Sequence, residues 1–70
     1  MVNTVKLKMR MVECGKDVHD VADAIGKSYE TAKAKLENKA VMNLVEAENI
    51  QYLLCIPNGE FRDYFFGGGK

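Results

Sequence analysis

Gly26 constrains this chain more than any other residue. The stretch from Val18 to Leu36, with VADAIGKSYETAKAKL at its centre, reads as two short helices joined by a turn at Gly26, Lys27 and Ser28. A glycine there takes the left-handed conformation that a sharp helix exit requires. Ala22 stands four positions earlier, small enough for two helices to cross closely. Ser28 follows two positions after the glycine and Thr31 three later, and Leu36 closes the second helix. The remaining residues then support or aim that pair of helices.

Residues 4 to 14 fit two patterns. Val5, Leu7, Met9 and Met11 alternate with Lys6, Lys8 and Arg10, as in a strand. Leu7, Met11 and Cys14 equally share one face of a helix, with Val5, Met9 and Val12 beside them. Good helix formers and a cap at Asn3 or Thr4 favour the helix, ended by Gly15. Asp17 caps a second helix, with Asp20 favoured at its positive start. Val21, Ala24 and Ile25 give it an apolar side to which Val18 adds. Ser28 caps a third, over roughly 29–38, with Ala32 and Leu36 inward and Tyr29, Glu30, Lys33, Ala34 and Glu37 outward. Asn43 and Glu46 form a signal close to a capping box. They start a fourth helix whose stripe is Leu44, Ala47, Ile50 and Leu54, widened by Val45 and Leu53, and Pro57 ends it near Cys55.

Four of the six aromatic residues fall at the end of the chain: Phe61, Tyr64, Phe65 and Phe66. Burying each contributes about 2 kcal/mol, so this segment is expected to dock on the core or on a second subunit. Residues 1–66 are read as a single domain and 67–70 as a flexible end. The longest apolar runs are too short to span a membrane. No long apolar segment follows Met1, so no signal peptide is expected.

The formal charge is zero, with ten basic and ten acidic residues, but its distribution alternates by segment. Lys6, Lys8 and Arg10 are followed by an acidic stretch around Asp17, Asp20 and Asp23. A lysine-rich stretch then runs from Lys27 to Lys39, and an acidic one from Glu46 to Asp63. A basic face and an acidic face would produce this pattern. Cys14 and Cys55 are far apart, form no CxxC pair and read as reduced thiols packed as small apolar groups. His19 supplies no third ligand at a zinc-like spacing, so no metal and no cofactor is expected. No nucleophile–base pair or paired carboxylates stand out, and the chain does not read as an enzyme.

The pattern AxxxGxSxxTxxxxL, carried by Ala22, Gly26, Ser28, Thr31 and Leu36, resembles the Cro/repressor-type helix-turn-helix family. KLKMRMVECG looks like the first helix of short phage-borne Cro-like regulators. LENKAVMNLVEAENIQYLLCIP looks like the end of their recognition helix, a linker and a fourth helix, and DYFF like a short aromatic tail. The resemblance runs from about Lys6 to Phe66. It implies an all-α, four- to five-helix lambda-repressor-like domain. Such a domain binds operator DNA as a homodimer with its third helix in the major groove, in the cytoplasm and on the nucleoid of a bacterial host. On that pattern Ser28, Tyr29, Glu30, Lys33 and Ala34 would read base edges, and Lys27, Lys35, Asn38 and Lys39 would hold phosphates. Phe61, Tyr64, Phe65 and Phe66 would serve tail packing or a dimer. No membrane and no small-molecule substrate is implied.

Lys16, Val18, Lys27, Ala32 and Ala34 depart from the family pattern and leave fewer polar readers on the third helix. With the zero net charge and the aromatic tail, they support an alternative. That alternative is a protein-interaction module on the same fold, such as an antirepressor or a phage regulator of a host protein.

Overall fold

A computed structural model describes residues 1–66. The expectation of a flexible end at 67–70 lies outside the described residues. Five α-helices follow one another: α1 (Thr4–Cys14), α2 (Val18–Ile25), α3 (Tyr29–Leu36), α4 (Leu44–Leu53) and α5 (Phe61–Phe65). A 3₁₀ turn at Asn58–Glu60 leads into α5. No strand occurs among the described residues, and residues 4–14 form the expected helix rather than the strand their alternation also allowed. α2 packs against both α3 and α4, and α5 closes over α1. The core joins Leu7 and Met11 of α1, Val21, Ala22 and Ile25 of α2, and Ala32 and Leu36 of α3. Ala47, Ile50 and Leu54 of the α4 segment, Ile56, and Tyr64 and Phe65 of α5 complete it, with Val2 from the N-terminal segment.

Each of the first four helices begins on a side-chain cap. Asn3 Oδ1 accepts from the Lys6 N–H at 3.1 Å, Asp17 Oδ1 from Asp20 N–H at 3.2 Å, Ser28 Oγ from Thr31 N–H at 3.2 Å and Asn43 Oδ1 from Glu46 N–H at 2.8 Å. At α2 and α4 the third residue reaches back to the cap's own N–H and completes a capping box. These bonds satisfy backbone donors that a helix start otherwise leaves unpaired.

The same four helices end on one device as well. Gly15, Gly26, Asn38 and Cys55 have φ of 68°, 69°, 62° and 54°. In each case the next residue's N–H bonds to the carbonyl five residues back: Lys16 to Met11, Lys27 to Ala22, Lys39 to Ala34 and Ile56 to Gln51, at 2.8–3.0 Å. This is the Schellman exit. Asn38 stops α3 two residues short of the expected 38. Asparagine tolerates the left-handed region through its short polar side chain, whereas Cys55 holds it at a cost.

Several inward assignments are corrected. Val5, Met9 and Val12 are 68%, 61% and 80% exposed. They lie on the side of α1 opposite Leu7 and Met11, because only one stripe of a helix this short meets the core. On α4, Leu44 and Val45 face out, while Glu46 is buried. Ala22 is the buried alanine of α2, and Ala24 is half-buried. Cys14 is half-buried, but Cys55 is exposed and does not pack as a small apolar group. The thiol of Cys14 donates to Leu54 O at 3.3 Å.

The tail docks within its own chain. Tyr64 and Phe65 are buried and Phe61 is half-buried, with the Phe61 and Phe65 ring centroids 4.8 Å apart. Asn3 N–H donates to Tyr64 O at 2.8 Å, and the Lys6 ammonium lies 4.9 Å from the Tyr64 ring centroid. Phe66 alone of the four is exposed. No helix among the described residues is long and apolar enough to cross a membrane.

Candidate nucleic-acid interface

α3 is held by its inner face and offers its outer one. Ala32 and Leu36 are buried, and the cap and the Gly26 turn fix the angle at which the helix leaves α2. Glu30 and Lys33 are exposed away from these two, Tyr29 is exposed in the first turn beside them, and Ala34 is half-buried. Ser28 is exposed as well, but its hydroxyl is engaged as the cap and donates to Thr31 Oγ1 at 3.0 Å. Lys27 stands exposed in the turn before α3 and Lys39 beyond its end. Lys39 lies 3.5 Å from Glu37, at a solvated distance that holds the charge only loosely. The structure therefore leaves Tyr29, Glu30 and Lys33 exposed on α3, with a lysine beyond each end.

Two of the expected phosphate residues have other work. Lys35 Nζ donates to Glu46 Oε1 at 2.9 Å and to Val41 O at 2.8 Å, and its side chain is only 13% exposed. Lys35 thus ties α3 to the start of α4 and holds the linker between them. Burial pushes the Glu46 carboxyl up. The Lys35 hydrogen bond, the Asn43 backbone N–H and the positive charges of Lys35 and Lys27 outweigh it, so the carboxyl is held below its ordinary value. Asn38 grips the N-terminal segment: its Oδ1 accepts from Val2 N–H and its Nδ2 donates to Val2 O, both at 2.9 Å. Both stand where the resemblance implies a phosphate contact, and only the path of residues 1–4 and of the linker reveals their partners.

Arg10 has a similar fate. Its guanidinium donates to Leu54 O at 2.8 Å and to Cys55 O at 2.6 Å. A cation on the last carbonyls of α4 complements the negative end of that helix. With Lys6 over the Tyr64 ring, the basic N-terminal stretch therefore contributes two of its three charges to internal structure.

The rim beside α3 is acidic. Asp17 and Asp20 cap the start of α2, where unpaired N–H groups could otherwise receive a phosphate. The Asp17 carboxyl is held below its ordinary value, first by the Asp20 backbone N–H and further by the neighbouring His19. His19, read from the sequence only as a histidine lacking metal partners, reaches this site. Its ring centroid lies 4.5 Å from that of Tyr29. No sequence spacing signals that contact, because it forms between two helix starts.

No group of three or more histidine, cysteine or carboxylate residues among the described residues is placed to hold a metal ion. No protein-family model, curated protein or solved structure matches this chain.

Proposed function

We propose that the chain is a DNA-binding transcriptional regulator of lambda-repressor-like fold that acts as a homodimer, with α3 lying in the major groove. The observation that carries this reading is the α2–α3 unit. A capped α2, a left-handed Gly26, buried Ala22 and Ala32 and a capped α3 leave Tyr29, Glu30 and Lys33 exposed. Lys33 suits a guanine edge or a phosphate, and Glu30 suits the amino group of cytosine. Lys27 before α3 and Lys39 beyond it are exposed and suit backbone phosphates. Ser28 and Ala34 border this face.

Salt titration of duplex binding tests the reading. Affinity should fall steeply with salt, and Lys27→Ala, Lys33→Ala and Lys39→Ala should each reduce the logarithmic slope by about 1. Binding that is absent at low salt, or that ignores salt, overturns it.

A second reading, a protein-interaction module on the same fold, is favoured by charge and by apolar surface. Residues 16–39 carry five lysines against five carboxylates. Val5, Met9 and Val12 form an exposed apolar stripe on α1. Such a stripe suits a protein partner better than a phosphate backbone.

A further inference from the structure

His19 is the chain's single histidine and nothing above gives it a role. It stands in the first turn of α2 with its side chain 75% exposed, and its Nδ1 lies 3.7 Å from Asp17 Oδ2. Its ring sits on Tyr29, with centroids 4.5 Å apart and planes 39° from each other. Tyr29 is the first residue of α3 and is exposed beside the outward face. We propose that His19 is a positioning residue for Tyr29 and a proton-gated anion contact at the edge of the α3 face. This proposal rests on the nucleic-acid reading of that face.

One proton on His19 has two consequences. A tyrosine at a helix start has free rotamers, and an aromatic neighbour in tilted contact restricts them. Histidine changes charge between about pH 5 and 8. A protonated imidazole is drawn to the tyrosine ring face, which tightens the contact. The same proton alters the local field. Asp17 Oδ2 lies 3.7 Å from its Nδ1, Lys16, Asp20 and Asp23 share its segment, and α3 brings Tyr29 against it, with the exposed Glu30 and Lys33 following Tyr29 on that helix. A neutral His19 leaves that rim with three carboxylates against one lysine on the α2 side, which repels a phosphate. A charged His19 answers Asp17 and reduces the repulsion. Both effects favour a polyanion at lower pH.

The test measures binding of a fluorescent mixed-sequence DNA duplex near pH 6 and near pH 8 to the full chain and to His19→Phe and His19→Ala, with circular dichroism verifying each fold. The wild type should bind about fivefold tighter at the lower pH, the scale of one added phosphate contact. His19→Phe keeps a ring against Tyr29 without the charge, so its affinity should be nearly independent of pH. His19→Ala should be equally flat and weaker than His19→Phe. In the free protein, the Tyr29 ring proton resonances should follow the His19 titration. Wild-type binding that does not change with pH, His19→Ala that keeps the pH dependence, or Tyr29 resonances blind to His19 would each overturn the role of His19 while leaving the DNA reading intact. Absence of wild-type binding at both pH values overturns the DNA reading and the anion contact together.

Discussion

The ammonium of Lys35 lies 2.9 Å from Oε1 of Glu46, and the same oxygen accepts the backbone N–H of Asn43 at 3.1 Å. One carboxylate thus closes the capping box of α4 and anchors α3 to it. Removing Lys35 leaves a buried carboxylate short of a partner. Lys35→Met should therefore lower stability by about 2 kcal/mol, read as a shift of the urea midpoint. The salt dependence of duplex binding should stay unchanged, because this lysine faces inward.

The depressed Glu46 carboxyl also sets a pH dependence. A group titrating lower in the folded state stabilises the fold fully above its unfolded value, which is near 4.5. That contribution is lost as pH falls through the folded value. Urea midpoints measured from neutrality down to about pH 3 should drop on the acid side in the wild type and less so in Glu46→Gln. A Glu46→Gln profile that parallels the wild type would contradict this assignment.

Asn38 serves both as the left-handed exit of α3 and as the two-point clamp on Val2. Asn38→Gly keeps the backbone conformation and loses the clamp, whereas Asn38→Ala loses both. Each should destabilise the protein, with alanine costing about 1 kcal/mol more than glycine. Hydrogen exchange at the Val2 amide should accelerate in both variants.

The tail is part of the core. Phe65 is 2% exposed, so Phe65→Ala should cost about 3 kcal/mol, a large share of the stability of a domain this small. Truncation before Phe61 should unfold the chain. Phe66→Ser removes a ring that is already 60% exposed and should leave the thermal midpoint almost unmoved. If the homodimer uses the exposed end of the tail, Phe66→Ser shifts the sedimentation profile instead.

Local chemistry was the legible part of this sequence. Asp17, Ser28 and Asn43 announce helix starts, and Gly15 and Gly26 announce ends, because caps and left-handed turns depend on residues a few positions apart. Asn38 makes the same turn with the weaker of the two residues that signal it, and Cys55 makes it with no signal at all. Helix periodicity placed Leu7, Met11, Ala32 and Leu36 inward. It overreached at Val5, Met9, Val12, Leu44 and Val45, since an apolar residue does not say whether a neighbour covers it. The candidate site was half legible. Glu30 and Lys33 face outward as α3 periodicity predicts, whereas Tyr29 shares the side of Ala32 and Leu36 and is exposed only because it opens the helix. Lys35, Asn38 and Arg10 were drawn inward by partners 11, 36 and 44 residues away along the chain, and the His19–Tyr29 contact joins two helices.

Selection of bound duplexes from a random pool tests whether α3 reads DNA. It should enrich a two-fold symmetric motif, with half-sites about one helical turn apart, that Lys33→Ala weakens. A pool that remains random after selection at low salt would contradict it.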